Sequence, residues 1–365
     1  MTELQVQVLF TTQDTNLNIP KAPIMVPSTL KSKGLEEIVN HLLDTNLSLS
    51  FLLDKKVLST SLKGWMDQNQ KSYESILEIE CIINPEMEES TFSKHDDWIS
   101  SICVKDYTFT SSYDGKIRKF KNRKCVETIE AHNEPIKDLF VGKQFMATAS
   151  LDHTVRIFNE KVIECIGHTK GVLSVDGTQH FVACGSQDHD IRVWDLVVPE
   201  SNHKKRQKSE TVSKTESVVL SGHNGSVTCV KFIEKSLLSS SLDHSLRLWD
   251  VESKTTKQSW TSDHAINSLS IKENTIATVH SDSYLRIWDL REQRSVSAIK
   301  GAQYQTSVDF SNTAYSLCAT SEDLLVFDLR ALKYVKRFQG EGYLACCFED
   351  SILAGGKDTL LHEFK

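Results

Sequence analysis

The chain has 365 residues, of which 25% are charged, and a formal net charge of −7. This acidic balance excludes the global basic field that drives non-specific binding to nucleic acids. The nine cysteines form no CxxC pair, and the sequence shows no signal peptide and no apolar run of membrane-spanning length. We therefore expect a soluble intracellular protein with reduced thiols and no membrane partner.

Residues 1–84 have the pattern of an α+β domain. Apolar and polar side chains alternate in the predicted strands, and apolar residues spaced i, i+3, i+4, i+7 and i+8 predict a helix. In chain order the predicted elements are strands at 4–10 and 17–26, a helix over 35–43, strands at 49–53 and 57–58, a turn at 61–65 and a strand at 76–83. This order resembles the ubiquitin-like (β-grasp) fold, in which a helix packs across a mixed sheet.

The rest of the chain repeats one unit, which is clearest at residues 222–250. This copy opens on Gly-His, continues as three short alternating apolar runs with a turn at Asp243, and closes on Trp-Asp. The unit resembles a WD repeat, the sequence form of one blade of a β-propeller. The turn aspartate recurs seven times, at Asp114, Asp152, Asp188, Asp243, Asp282, Asp323 and Asp358. We therefore predict an all-β, seven-bladed WD-repeat propeller over residues 95–365.

Residues 85–94 are predicted to be a linker followed by a closing strand. Pro85 ends the first domain, and the last repeat stops at Lys365 with its third strand, so its fourth strand is missing. Thr91 and Phe92 lie directly before the first repeat and can supply that strand. Pairing the two ends of the propeller would remove open sheet edges, which otherwise invite aggregation.

A basic insertion at 198–217 separates the third and fourth repeats. It shows no apolar periodicity, which is typical of a long loop. Its basic residues are open to three interpretations: a nuclear-import signal, a contact with RNA or a solvated loop. These residues are Lys204, Lys205, Arg206 and Lys208.

Two sets of polar residues have the composition of a catalytic site. In WD repeats such a set forms a structural hydrogen-bond chain, in which Asp holds His, His reaches a strand hydroxyl, and the hydroxyl reaches Trp. Repetition around a ring favours this structural interpretation, because catalysis needs one tuned constellation. The two sets are His168, Ser186, Asp188 and Trp194, and His223, Ser241, Asp243 and Trp249.

The later repeats depart from this pattern. The fifth has His280 where the strand serine is expected, the sixth lacks Gly-His, and the seventh lacks both the histidine and the serine. No phosphate-binding loop, dinucleotide fingerprint, HExxH motif or zinc-spaced Cys/His cluster occurs. The chain is therefore predicted not to be an enzyme and to have no cofactor of its own.

Three local strings make the resemblance more specific: GLEEIVNHLL at 34–43, LSTSL at 58–62 and HDDWISSI at 95–102. With the order of domains, they resemble the WD-repeat subunit of the Pescadillo complex, a family closely related to Notchless. This resemblance implies a non-catalytic assembly factor for the large (pre-60S) ribosomal subunit and for rRNA processing, located in the nucleolus and nucleoplasm. The propeller would bind a second WD-repeat assembly factor, which in turn binds Pescadillo.

The resemblance also implies that the ubiquitin-like domain docks on the metal-dependent adhesion site of midasin, the AAA ATPase that releases the complex from the pre-ribosome. Such a site holds a divalent cation, and Mg²⁺ favours an anionic oxygen from the partner at its open position. In this family the acid lies just before the last strand of the domain, and here Glu74 matches that position. Glu78 and Glu80 are competitors within the strand. Glu74 is thus expected to complete a metal site in trans.

Two other functions stay open. The first is a Notchless-type factor, which engages midasin at a later step; the string at 95–102 favours the Pescadillo-complex family instead. The second is a substrate adaptor of a ubiquitin ligase. The sequence disfavours it, because residues 82–85 replace a free Gly-Gly tail and no helical cullin-binding segment precedes the propeller. Whether RNA is contacted directly is left open.

Overall fold

The computed structural model describes residues 5–12, 19–20, 22–45, 47, 49–54, 56–58, 60–73, 75–83, 89–196, 211–215, 217–292, 294–301, 303–311, 316–329, 332–349 and 351–364. The chain divides into two compact units. One comprises residues 1–87 and 328–336, and the other residues 88–327 and 337–365. In these described ranges, no helix has both the length and the apolar character needed to cross a membrane.

The first unit contains a five-stranded mixed sheet and two helices. Strands β1 and β5 are parallel, with Val8 opposite Leu77, whereas β1 pairs with β2 and β3 pairs with both β4 and β5 in antiparallel fashion. The order across the sheet is β2-β1-β5-β3-β4. The elements are β1 (Gln5–Thr11), β2 (Ile24–Pro27), α1 (Ser32–Leu43), β3 (Leu49–Leu53), β4 (Lys56–Val57), α2 (Leu62–Gln68) and β5 (Leu77–Ile83).

The core of this unit lies between the sheet and the helices. In β1, Val6, Val8 and Phe10 point inward and their neighbours point out, as period-two alternation requires. Leu35 and Val39, four residues apart on α1, are fully buried against them. The hydroxyl of Ser61 caps α2 by accepting a hydrogen bond from the backbone N–H of Gly64 at 3.2 Å.

The described strands from β6 (Glu89–Lys94) onward form seven further sheets, six with four strands and one, sheet two, with five. Sheet one contains β7 (Ile99–Val104), β8 (Thr108–Ser112), β9 (Lys116–Lys121) and β10 (Lys124–Glu130), and sheet two contains β11 (Ile136–Val141), β12 (Met146–Ser150), β13 (Thr154–Phe158), β14 (Val162–Ile166) and β18 (Thr211–Lys214). Sheet three contains β15 (Val172–Gly177), β16 (Phe181–Ser186), β17 (Ile191–Asp195) and β19 (Val218–Leu220), sheet four contains β20 (Val227–Ile233), β21 (Ser236–Ser241), β22 (Ser245–Asp250) and β23 (Thr255–Thr261), and sheet five contains β24 (Ile266–Lys272), β25 (Thr275–His280), β26 (Tyr284–Asp289) and β27 (Ser295–Lys300). Sheet six contains β28 (Ser307–Phe310), β29 (Ser316–Thr320), β30 (Leu324–Asp328) and β31 (Lys333–Phe338), and sheet seven contains β32 (Tyr343–Phe348), β33 (Ile352–Gly356), β34 (Leu360–Phe364) and β6.

The first strands of the seven sheets follow one another around a closed ring. Each packs against the first strand of the next sheet, and β32 of sheet seven packs against β7 of sheet one. Apolar clusters fill the space between neighbouring sheets, such as the cluster that joins Trp194 of sheet three to Val155 of sheet two. The mostly β structure and its repeated sheets are consistent with a β-propeller.

The first and last strands of the ring meet in sheet seven. Strand β6 pairs with β34 in antiparallel register, with Phe92 opposite Leu361 and Thr91 opposite His362. This is the pairing predicted for Thr91 and Phe92. The ring of Phe92 also contacts Phe120 of sheet one edge to face, with 6.0 Å between the ring centroids. The closing strand therefore covers the edge of the last sheet and contacts the first.

The insertion at 198–217 differs from the structureless loop that its sequence predicts. Strand β18 within it pairs in parallel with the outer strand β14 of sheet two, with Val212 opposite Ile163. The edge of β14 would otherwise present unpaired backbone groups. Because the strand contains a single apolar side chain, Val212, periodicity does not reveal it. The basic residues Lys204, Lys205, Arg206 and Lys208 lie outside the described residues.

Candidate functional site

The polar network is complete in sheet four. Trp249 Nε1–H donates to Ser239 Oγ at 2.8 Å, the Ser239 hydroxyl donates to His223 Nε2 at 2.7 Å, and His223 Nδ1–H donates to Asp243 at 2.9 Å. The prediction that Ser241 forms the bridge is therefore wrong. Ser239 and Ser241 face the same side of their strand. However, Ser241 lies at the strand end, where its hydroxyl accepts the backbone N–H of Asp243 at 3.1 Å.

The network of sheet three stops before its tryptophan. His168 Nδ1–H donates to Asp188 at 2.8 Å, and His168 Nε2 contacts the thiol of Cys184 at 3.0 Å. Among the residues that the structure describes, Trp194 Nε1 finds no hydrogen-bond partner. Ser186 is again wrong as the bridge, because its hydroxyl donates to the carbonyl of Gly171 at 3.0 Å. A thiol is only a weak donor and acceptor, which explains the incomplete chain.

Two further networks were not predicted from the sequence, because no glycine precedes their histidines. In sheet two, His132 joins Asp152 at 2.7 Å to Thr148 at 2.8 Å. In sheet one, His95 contacts the hydroxyl of Thr110 at 2.8 Å. The residue before each histidine is Ala or Lys instead of Gly. A search for a histidine placed about 20 residues before the turn aspartate would have found both.

In sheets five to seven, other side chains form the corresponding hydrogen bonds. In sheet five His280 comes from the strand itself, and Thr278 bridges it, at 2.8 Å, to Trp288 Nε1 at 2.7 Å. In sheet six Asp323 is paired with Arg337, and in sheet seven Asp358 is paired with His362. Their turn aspartates are thus bonded within their own sheets, even though the Gly-His dipeptide is absent.

The pKa values of the carboxyl and imidazole groups indicate the role of this network. Burial alone would raise the pKa of Asp152, but the hydrogen bonds and the charge of His132 lower it to about 2. Burial opposes the charged form of the imidazoles, and it lowers the pKa of His95 and of His280 to about 4. The carboxylate of Asp152 is therefore held in its charged form, whereas the rings of His95 and His280 are held in their neutral form, and both effects favour a fixed geometry of the hydrogen bonds. The network is therefore structural, and it is repeated around the ring.

A second set of polar contacts joins neighbouring sheets around a central channel of about 490 Å³. Asp138 accepts from the hydroxyl of Ser101 in sheet one and from the backbone N–H of Val175 in sheet three, both at 3.0 Å. Asp309 likewise accepts from Ser270 at 3.1 Å and from the N–H of Phe348 at 3.0 Å. Each carboxylate therefore ties three consecutive sheets together.

Lys231 points into this channel and balances part of its negative charge. Its ammonium lies 3.6 Å from Asp176, which in turn accepts the backbone N–H of Phe232 at 2.7 Å. Burial raises the pKa of Asp176 and of Asp309. Burial opposes the charge on Lys231, but the carboxylates of Asp176, Asp138 and Asp309 outweigh it and raise the lysine pKa. Within the ranges that the structure describes, no group of three or more His, Cys, Asp and Glu side chains could hold a metal ion.

One end of the ring carries exposed aromatic and apolar side chains at the mouth of the channel. Trp98 is 39% exposed, Leu242 43% and Tyr304 52%. All three lie beside the turns that contain the aspartates, and we call this end the aspartate-turn face. Trp98 packs against Tyr113 in a tilted arrangement, with 5.6 Å between the ring centroids, and the ammonium of Lys357 lies 5.5 Å from the centroid of the Trp98 ring. Exposed aromatic residues flanked by cations are typical of protein-binding surfaces.

The predicted metal-binding acid of the first unit, Glu74, lies outside the described residues. Its competitors lie in β5, where Glu78 is exposed and Glu80 is half-buried, while the alternating residues Leu77 and Ile79 are buried. On the approach to this strand, the Tyr73 hydroxyl donates to Asp67 at 2.7 Å. The alternation in β5 places both competitors on the face of the sheet opposite the core.

Comparison with known families matches both units. Residues 6–66 match the NLE (NUC135) domain, and residues 123–159, 160–195 and 214–250 match the WD domain, G-beta repeat. The fold and the repeated structural networks thus define a WD-repeat scaffold protein with an N-terminal NLE domain.

Relatives narrow this class to one family. The chain is 32% identical to the ribosome biogenesis protein ytm1 of Schizosaccharomyces pombe, over 69% of this chain and 68% of that protein. It is 28% identical to the ribosome biogenesis protein WDR12 homolog of Nematostella vectensis, over 70% of this chain and 71% of the relative, and 29% identical to the homolog of Oryza sativa subsp. japonica, over 73% and 71%. The chain belongs to this WDR12/ytm1 family of ribosome biogenesis proteins.

The family assignment confirms the resemblance to the WD-repeat subunit of the Pescadillo complex. It also confirms that the chain is not an enzyme, because the family consists of non-catalytic WD-repeat scaffolds.

Proposed function

We propose that the chain is an assembly factor of the large ribosomal subunit that acts on pre-60S particles and in rRNA processing, in the nucleolus and nucleoplasm. The observation that carries this proposal is the likeness to ribosome biogenesis proteins over about two thirds of both chains, together with the NLE-domain match. The chain would act by holding partners together, since its polar networks serve the fold.

The first unit is proposed to be a ubiquitin-like domain. Support comes from its mixed sheet, in which β1 and β5 are parallel neighbours and α1 packs its buried face on the sheet. We propose that this domain docks on midasin through a divalent cation held by the partner, with Glu74 completing the coordination. The domain would then transmit the pull of the ATPase to the rest of the complex, and the chain would need no cofactor of its own.

The second unit is proposed to be a seven-bladed propeller. Its first strands form a closed ring of seven sheets among the described residues. We propose that its aspartate-turn face binds the propeller of a second WD-repeat assembly factor and, through it, Pescadillo. The exposed side chains of Leu242 and Tyr304 line the channel there, and exposed Trp98 packs against Tyr113, which also lines it. Exposed aromatic and apolar side chains gathered at one end of the ring support an interaction site there.

Affinity purification of the tagged full-length chain tests the proposal. We expect midasin, Pescadillo, a second WD-repeat protein and pre-rRNA of early large-subunit particles to be recovered. Recovery of cullin components without pre-rRNA would replace the proposal by a ligase adaptor. Recovery of late particles that lack Pescadillo would assign the chain to the Notchless-type step.

The substitution Trp98→Ala with Tyr304→Ala gives a sharper test of the proposed face. It should remove the second WD-repeat protein and keep midasin. The double variant Phe181→Ala with Val296→Ala is a matched control, because both residues are exposed apolar side chains away from the aspartate turns. Equal loss of the partner in both variants would contradict the assignment to the aspartate-turn face.

A further inference from the structure

Four turns of sheets one and two lie at one end of the ring, opposite the aspartate-turn face. Within each sheet the strands are antiparallel, so the turn between the first and second strands and the turn between the third and fourth share an end. These turns fall at residues 105–107, 122–123, 142–145 and 159–161. Tyr107 of sheet one packs in one apolar cluster with Met146 and Phe158 of sheet two. The four turns are therefore neighbours.

Lysines dominate this end of the two sheets. Five of them are exposed, and none has an ion pair or side-chain hydrogen bond within the described part of the chain. Only two acidic residues lie in the same turns, Asp106 and Glu160. Together with Lys119 and Tyr107 we call these lysines the basic rim. The five lysines are Lys105, Lys121, Lys124, Lys143 and Lys161.

The opposite end of the same sheets has the reverse charge. Asp97 and Glu134 are exposed there, and the cations beside them are already paired. Lys116 and Arg118 both contact Asp96, at 3.2 Å and 3.0 Å. The basic rim is thus a local exception in a chain of net charge −7, and among its lysines only Lys119 is paired with a carboxylate in the described part of the chain, that of Glu127 at 3.7 Å.

The basic rim also places two lysines directly opposite each other across a hairpin. Lys121 and Lys124 are paired directly opposite each other in the register of β9 and β10. Like charges in that position are destabilising. The two residues between them, Asn122 and Arg123, have φ angles of +51° and +65°. A turn of this kind favours Asn-Gly, and here Arg takes the place of glycine.

A local conflict of this sort is expected where a binding surface requires it. Two lysines are also held in place by one aromatic ring. The ammonium of Lys119 lies 4.3 Å from the centroid of the Tyr107 ring and that of Lys121 lies 5.3 Å from it. Such cation–π contacts orient both ammonium groups, and only that of Lys119 is also paired with a carboxylate. Arg123 serves the fold instead, because its guanidinium donates to Glu363 of sheet seven at 2.8 Å.

We propose that the basic rim binds the phosphate backbone of RNA. Several uncompensated ammonium groups on adjacent turns match a chain of evenly spaced phosphates, and a lysine acts on phosphate as a point charge. No base-reading geometry is needed, so the contact positions RNA and does not read its sequence. The inference rests on the proposed function only for the choice of RNA over an acidic protein segment.

Binding of labelled single-stranded RNA to the full-length chain tests the rim. The variant Lys121→Ser, Lys143→Ser, Lys161→Ser removes three rim charges. The control Lys170→Ser, Lys235→Ser, Lys300→Ser removes three exposed lysines spread over sheets three, four and five. We expect the rim variant to bind at least about tenfold more weakly. We also expect its slope of log affinity against log salt to fall by about 2, since each phosphate contact contributes about 0.7 for single strands. The control should behave like the natural chain.

Several outcomes would contradict the proposal that the basic rim binds RNA. Equal losses in both variants would show a general charge effect. An unchanged rim variant, with binding lost when Lys204, Lys205, Arg206 and Lys208 are replaced by Ser, would move the RNA contact to the insertion. Tighter binding of a poly-glutamate peptide than of RNA, lost in the rim variant, would identify a protein partner. If RNA binding needs the rim but the chain does not co-purify with pre-ribosomes, this inference stands and the proposed function fails.

Discussion

The carboxylate of Asp176 in sheet three accepts the backbone N–H of Phe232 in sheet four at 2.7 Å, across the insertion that separates these two sheets. The residues lie 56 positions apart, compared with 37 for Asp138 and Val175 and 39 for Asp309 and Phe348. The contact between sheets is the same in all three cases. The insertion therefore lengthens the connection without loosening the ring.

Replacing Asp176 should destabilise the second unit strongly. Asp176→Ala leaves Lys231 without its nearest carboxylate and the N–H of Phe232 without an acceptor. The unsatisfied N–H costs about 1 to 3 kcal/mol, and the lost ion pair adds at most about 1 kcal/mol, because the Lys231 side chain is 37% exposed. Asp176→Asn keeps an acceptor for the N–H and should cost less. Urea unfolding measures both, and equal stability of Asp176→Ala and the natural chain would refute the role of this carboxylate.

Ser239 and Ser241 should differ in their effect on stability. Ser239→Ala removes the bridge between His223 and Trp249 and leaves two buried groups unpaired, at about 1 to 3 kcal/mol each. Ser241→Ala removes one bond to the turn and should cost about 1 kcal/mol. The two variants are matched in chemistry and lie two residues apart. Urea midpoints that rank them in the reverse order would restore Ser241 as the bridge.

The repeat spacing predicts the sheets well, because each turn aspartate acts within its own sheet and leaves a local signal. The prediction placed the bridging serine two positions too late, because Ser239 and Ser241 are both serines and lie on the same side of the strand. Strand β18 was missed because pairing with β14 depends on an edge formed earlier in the chain. Contacts such as that between Asp176 and Phe232 join separate sheets, so no local sequence pattern predicts them.

The buried histidines should make stability depend on pH. The pKa of His280 is lowered by burial to about 4, below the unfolded value of about 6.5. Between these values the unfolded chain binds more protons, so stability is lost as the pH falls from about 6.5 to about 4. The loss for this one residue is about 3 kcal/mol at most. His280→Ser installs the residue found in sheet four and should flatten the dependence. Urea unfolding at about pH 7 and about pH 5 measures it, and an unchanged slope would argue against His280 as its source.

Removal of the closing strand should open the ring. Deleting residues 88–94 takes away β6, exposes the edge of β34 and removes the contact of Phe92 with Phe120. The expected cost is several kcal/mol, a large part of the roughly 5 to 15 kcal/mol that keeps a domain folded. Thermal unfolding of the full-length chain with and without the segment tests this. Unchanged thermal stability would mean that β6 is dispensable for closure.

Glu74 should decide binding to midasin while leaving the fold intact. A hard cation such as Mg²⁺ favours a carboxylate at its open position, and Glu74 precedes the last strand, where it does not belong to the alternating face of β5. Glu74→Ala is expected to abolish binding to the midasin adhesion domain, and Glu74→Asp to weaken it through shorter reach. Glu78→Ala is the matched control, because Glu78 is exposed on the same strand region. Binding is measured with Mg²⁺ and with chelator, alongside thermal stability and binding of the propeller partner, which should both be unchanged. Binding that persists with chelator, or that is lost in Glu78→Ala and kept in Glu74→Ala, would place the contact elsewhere on the domain.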